Sequence, residues 1–207
     1  MTNKTYTPGQ IVSMVGIEFV VLDDFGEASD GSRLLFLVAL KSQGTSTFGD
    51  TNKYAESALR GAVGKWFADL TDKLNKKFGC TRVCIERRTV DLTTLDGYKG
   101  YGTYRTRAAP LTMDEARKYA EVIPPPDEVC WLATGWGGPE HFGFTLALHV
   151  SPNGDWGNYY CPDSVGVRPA LVAPASLLGD AAEGKPALED YTTDDLLAEV
   201  RRRMKTK

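Results

Sequence analysis

The sequence predicts an α+β fold: small antiparallel sheets with two packed helices and a further helix near the C-terminus. Three observations carry this. Residues 130–171, CWLATGWGGPEHFGFTLALHVSPNGDWGNYYCPDSVGVRPAL, read as short strands joined by turn residues, an antiparallel meander. Residues 34–40 form an unbroken apolar run bounded by turn signals, as a strand buried on both faces would. Between Ala55 and Phe78 the apolar residues recur at steps of three and four, which places them on one side of a helix.

Composition sets the frame. The chain has 207 residues, 42% hydrophobic and 25% charged, enough for one substantial core. A net charge of −3 provides no global basic field, so neither nucleic acid nor an anionic membrane is an expected partner. The start, MTNKTYTPGQ, lacks the apolar stretch of a signal peptide, and no window has the length and apolarity of a spanning helix. The expected compartment is a cytoplasm.

In chain order, Pro8-Gly9 is a turn signal, and residues 11–15 and 17–22 are β-branched runs broken by Gly16, an opening hairpin or bulged strand. Residues 23–32 read as a polar loop before the apolar run. After a second polar loop, 41–53, comes the long helix. Gly79 supplies its stop, and Lys73, Lys76 and Lys77 sit near the negative end of its dipole. Trp66 and Phe67 belong to its core-facing stripe. Residues 82–92 are strand-like. The glycine-tyrosine stretch 95–104 does not lie between a strand and a helix, which a dinucleotide fingerprint requires; it reads as a corner across the fold or a partner-facing loop. Thr112 and Glu115 form a capping box, with Leu111 as a staple against Ala116, so a helix starts at Met113 and runs through Ile123 to the helix-breaking prolines 124–126.

The meander holds three of the four tryptophans, both histidines and two of the four cysteines. Its predicted strands are 130–133, 143–150, Trp156–Tyr160 and 166–172, with a glycine-rich loop at 135–138 and a tight turn at Pro152-Asn153-Gly154. From residue 173 to 190 the composition turns to Ala, Gly, Pro and acidic residues, a linker. Residues 191–207 form a helix with Asp194 and Asp195 in the first turn and Arg201, Arg202 and Arg203 in the last. It docks on its own domain or supplies a homo-oligomer contact. The domain plan is therefore 1–172, a linker 173–190 and a helix 191–207.

Cysteines stand at 80, 84, 130 and 161, one C-x3-C pair and two singletons, where structural zinc usually takes two close pairs. Reduced thiols are expected, with Cys84 and Cys130 as small core residues, ahead of a disulfide or a metal site. No cofactor is expected. The histidines, His141 in a loop and His149 within an apolar strand as a satisfied structural residue, make no local acid–base dyad. No Walker loop, H-E-x-x-H or G-x-S-x-G occurs, so no catalytic residue is assigned. Arg168 before Pro169 reads as a structural arginine that pairs with an acid or with carbonyls.

Trp131-Leu132-Ala133-Thr134, the apolar strand with its Asn-Gly turn, and Gly166-Val167-Arg168-Pro169-Ala170-Leu171 resemble the closing half of a C-type lectin-like domain. The likeness is to the branch shared by formylglycine-generating enzymes, the variable proteins of diversity-generating retroelements, and phage and prophage proteins. It implies a scaffold, spanning roughly residues 8–172, that displays the segment between the two motifs. Trp156 is followed by Gly157-Asn158 rather than by the W-N-D of calcium-dependent lectins, so calcium is not expected. Cys161 stands alone where the formylglycine-generating enzymes carry a close cysteine pair.

The expectation is a non-enzymatic recognition module of a phage or prophage, in the bacterial host cytoplasm or on the virion. It would bind a protein or glycan through an aromatic loop face. The candidate contacts are Trp136, Glu140, His141, Asn153, Asp155, Trp156, Asn158, Tyr159 and Tyr160. The alternatives are an intracellular phage accessory protein that inhibits a host defence enzyme, and a degenerate oxidoreductase with chemistry at Cys161.

Overall fold

The first turn already requires unusual backbone: Val15 (φ 45°) and Gly16 (φ 84°) are both left-handed, closing a two-residue hairpin between β1 (Ile11–Met14) and β2 (Ile17–Glu27). The computed structural model describes residues 5–140 and 142–178. It is an α+β structure. The remaining strands are β3 (Arg33–Ala39), β4 (Thr45–Thr47), β5 (Arg88–Asp91), β6 (Thr103–Thr106), β7 (Ala108–Pro110), β8 (Cys130–Gly135), β9 (Leu146–Val150), β10 (Trp156–Tyr160), β11 (Ser164–Gly166) and β12 (Pro169–Pro174). The helices are α1 (Ala58–Phe78) and α2 (Met113–Lys118). One sheet has the order β1-β2-β3-β12-β7, a second β10-β9-β8-β11-β4, and β5 and β6 form a separate ribbon. Among the described residues no helix is long and apolar enough to cross a membrane.

Strand alternation divides the first sheet between two cores. Phe19, Val21, Leu35, Leu37, Leu171 and Ala173 pack toward α1, whose Leu59, Val63, Leu70 and Leu74 are buried. Their neighbours Val20, Leu22, Phe36, Val38, Ala170 and Val172 point the other way, onto Ala116 and Tyr119 and onto Leu132 and Leu148 of the second sheet. A strand buried on both sides has no polar face to present, which explains the unbroken apolar run in β3. The ends of α1 are built as expected at its C-terminus, where Gly79 is left-handed (φ 60°). At its N-terminus the Ser57 hydroxyl accepts the Arg60 amide at 3.0 Å, and the helix starts three residues later than Ala55, after a short turn at Tyr54–Glu56.

Several boundaries differ from expectation for tertiary reasons. β2 continues to Glu27 through the stretch read as a loop, with register shifts between Val21 and Asp23 and between Asp24 and Glu27; Arg33 holds Asp24 at 2.8 Å across the hairpin. α2 keeps its capping box but ends at Lys118, short of Ile123. Tyr119 is drawn into the core instead, edge-on to Phe36 with centroids 5.7 Å apart, and its hydroxyl donates to Asp23 at 2.8 Å. Of residues 82–92 only β5 is strand. Residues 82–85 are irregular, so Cys84 is exposed rather than a core residue, while Cys130 is buried as expected. The glycine-tyrosine stretch is a packed corner: Tyr98 and Tyr101 meet edge-on at 5.1 Å and the Tyr101 hydroxyl donates to Asn52.

The closing strand expected over 166–172 is two strands in two sheets. β11 pairs with β8 and β4, and β12 lies between β3 and β7. The crossing at Val167-Arg168 is held by Val167 bonds with Gly44 and Gln43 and by Arg168 Nε donating to the Ala39 carbonyl at 2.7 Å. β12 also carries the folded chain past the expected boundary at Val172, through Pro174 to a turn at Ala175–Leu177 with Leu177 buried. The rest of the expected linker and the helix expected over 191–207 lie outside the described residues.

Candidate functional site

The displayed segment stands on a single base. Cys130 at the start of β8 pairs in parallel with Gly166 at the end of β11, so the two ends of the intervening chain lie side by side. The approach is close enough to require glycine: a Cβ on Gly166 would lie 2.7 Å from the Val129 carbonyl and 3.0 Å from the Cys130 sulfur. From this base β9 and β10 extend the sheet outward, and β10 is its edge. The strand expected over 143–150 is shorter. Residues Phe142–Thr145 form a tight turn instead, where the Asn52 side chain donates to the Gly143 carbonyl and the Asn52 amide to the Phe144 carbonyl.

That asparagine organises the loop after β8. Asn52, 1% exposed, donates through Nδ2 to the carbonyls of Gly137, Gly143 and Leu146 at 2.9, 2.9 and 3.0 Å, and its Oδ1 accepts from Tyr101. From the other side Asp96 accepts the Gly138 amide at 3.1 Å, and the Leu95 and Asp96 amides donate to the Gly135 and Trp136 carbonyls. The glycines are needed for this contact. A Cβ on Gly135 would fall 2.6 Å from Asn52, and one on Gly138 2.6 Å from the Tyr98 ring. The loop is a locked structure carrying Trp136, 37% exposed, at its surface. Sequence reasoning missed Asn52, Asp96 and Tyr98, since nothing local marks a residue whose partners lie so far along the chain.

The predicted contact residues separate into groups. Strand alternation puts Trp156, Asn158 and Tyr160 on one side of β10 and Tyr159 on the other, so they form an edge rather than the single face expected. Tyr159 and Tyr160 are exposed (42% and 54%). Tyr159 stacks on His149 with centroids 4.3 Å apart and planes 19° apart. Asn158 is half-buried. Trp156 is half-buried against Leu132, Leu148 and their cluster, with the Arg117 guanidinium 5.6 Å above its ring, a contact the sequence did not suggest. Asn153 and Asp155 are exposed, but their polar atoms bond one another and Ser151 within the turn. Glu140 is exposed beside Pro139. His141 lies outside the described residues.

His149 is buried as expected but not satisfied: its Nδ1 has no hydrogen-bond partner among the described residues. Its ring rests over Gly157, where a Cβ would approach within 2.8 Å, and burial lowers its pKa below the ordinary 6.5. All four cysteines are free thiols. Burial pushes Cys130 and Cys161 each up to about 12, so both are protonated thiols at neutral pH rather than nucleophilic thiolates. Among the described residues no three His, Cys, Asp or Glu side chains gather to hold a metal ion. What the arrangement offers is aromatic area on a fixed edge. Compared with known proteins, the chain matches no family model, no curated protein and no solved structure.

Proposed function

We propose that this chain is a non-enzymatic recognition module of phage or prophage type, with a C-type lectin-like arrangement, that binds a protein or glycan through the β10 edge and the loop after β8. The observation that supports the reading most directly is the exposure of three large aromatic side chains in one sheet, Trp136 just past the end of β8 and Tyr159 and Tyr160 on the edge strand β10, on a frame tied down by Asn52 and by the Cys130–Gly166 pairing. Rigid aromatic side chains offer large contact area at small entropic cost, and they lie beside an edge strand whose outer backbone groups face no neighbouring strand among the described residues. Trp156 supports this surface from beneath rather than touching the ligand.

The test is capture. The immobilised protein is presented with host envelope glycans, envelope proteins and cytosol, and compared with a Trp136→Ala, Tyr159→Ala, Tyr160→Ala triple variant. Retention of a glycan or envelope protein by the wild type, lost in a variant that unfolds at the same denaturant midpoint, is the expected outcome. Equal retention by the variant removes the edge from consideration, and selective retention of a soluble host enzyme moves the reading to an intracellular inhibitor.

A further inference from the structure

On the side of β10 away from His149, between α2, the 123–126 segment and β8, lies a cleft of about 240 Å³. Its rim includes the exposed Ala120, Pro125 and Gly154, and its floor the buried Val38 and Leu132. The lining is mainly apolar, with one formally charged side chain, Arg168.

Arg168 is 5% exposed. Its Nε donates to the Ala39 carbonyl at 2.7 Å and its Nη1 to the Pro124 carbonyl at 3.0 Å, while Nη2 has no hydrogen-bond partner among the described residues. Two carbonyls orient a guanidinium without neutralising it. Asp127 acts on it only across space, and the Asp127 carboxylate accepts the Ser42 amide at 2.8 Å. The other buried arginine among the described residues differs in its charge pairing: Arg88 also has one nitrogen, Nε, without a hydrogen-bond partner there, but besides donating to the Ala109 and Pro110 carbonyls it is ion-paired with Glu115. A buried cation without an anion is costly to keep. Among the described residues Arg168 has no paired acid, and it lines a space open to a small molecule; a second guanidinium, that of Arg117, stands over the ring of Trp156, which lines the same space.

We propose that this cleft binds a small apolar monocarboxylate, an aryl or branched alkyl acid, whose carboxylate supplies the anion that Arg168 lacks among the described residues and whose body lies between Trp156 and the proline segment. A carboxylate fits better than a phosphate, since a phosphate calls for several convergent donors and the cleft has a single guanidinium group in an apolar wall. The site is distinct from the exposed β10 edge and stands or falls without it.

The full chain is titrated with phenylacetate, phenylacetamide and acetate, following the tryptophan indole and arginine Nε signals in proton–nitrogen correlation spectra. Saturable shifts at Trp156 and Arg168 with phenylacetate at about 1 mM or below, and binding of the amide weaker by about tenfold or more, are expected. Acetate, lacking the apolar body, produces no saturation. Ala120→Phe closes the rim without touching the guanidinium and abolishes the response while leaving the unfolding midpoint unchanged. Equal affinity for acid and amide, no saturable shift with phenylacetate, or undiminished binding by Ala120→Phe overturns the proposal. A tripeptide ending in a phenylalanine carboxylate that binds more tightly than phenylacetate also overturns it, assigning the cleft to a peptide C-terminus.

Discussion

Asn52 holds the carbonyl of Gly137 at 2.9 Å across 85 residues of sequence, and with the same nitrogen it reaches Gly143 and Leu146. One buried amide thus fixes both sides of the loop that carries Trp136. Replacing it by alanine leaves the buried Gly137 and Gly143 carbonyls without the Asn52 donor, while Leu146 keeps the Trp136 amide, and the expected loss is about 3 kcal/mol, read from urea denaturation. Asn52→Asp sets a carboxylate against those carbonyls and should be worse than alanine at neutral pH, with partial recovery in acid. A loss below about 1 kcal/mol for the alanine variant would show that the loop is held by other contacts.

Glu115 performs two tasks. One carboxylate oxygen accepts the Thr112 amide at 2.9 Å to complete the capping box, and the other pairs with the buried Arg88. Thr112→Ala removes the hydroxyl cap and should cost about 1 kcal/mol. Glu115→Gln keeps a cap acceptor but leaves the Arg88 guanidinium without its anion, and should cost about 3 kcal/mol. If the two variants unfold together, the ion pair contributes nothing beyond the cap.

Two glycines bracket the meaning of the residue type. Gly138→Ala drives a methyl to within 2.6 Å of the Tyr98 ring and should destabilise by about 2 kcal/mol or more. Gly64, exposed in the middle of α1 with nothing within 4 Å of a built Cβ, should stabilise by about 0.5 to 1 kcal/mol when changed to alanine. Thermal and denaturant midpoints of the two variants should move in opposite directions.

The buried His149 predicts a pH dependence. Its folded pKa is depressed by burial, so below the unfolded value near 6.5 the unfolded chain binds a proton that the folded chain refuses. Its contribution to stability is complete above that pH and is lost as pH falls toward the folded value. Asp91, depressed by the Thr93 hydroxyl and amide, acts only below the usual carboxylate value of 3.8, so the two windows separate. Denaturant midpoints should fall between pH 7 and pH 5 in the wild type and stay level in His149→Gln; a parallel fall in both would assign the effect elsewhere.

Local chemistry was enough to place much of the chain. The step pattern of α1 and its Gly79 stop, the Thr112–Glu115 capping box, the apolar β3 and the β8–β9–β10 meander are all consequences of interactions spanning a few residues, and each appears in the predicted region, with the start of α1 and of β9 three residues later than expected. The short strands β4, β6 and β7 were invisible because runs of three or four residues have no measurable period; partner strands elsewhere in the chain define them. The aromatic residues of the candidate site were legible by type, but not which of them face solvent. Alternation along β10 separated Tyr159 from Trp156, and the α2 packing turned Trp156 inward.

What the sequence determined by itself is the identity and order of the elements whose signals are local: the α+β class, the helix caps and the strand–turn–strand segment near residue 150. Tertiary structure alone decided that the Gly166–Leu171 motif crosses from one sheet to another, that Asn52 is the anchor of the displayed loop, and that Arg168 is buried beside a cleft with no acid paired to it among the described residues. Such outcomes depend on which surfaces meet across long stretches of chain. Burial converts a hydrogen-bonding group or a charge into an obligation only after those surfaces have closed around it, and no window of neighbouring residues contains that information.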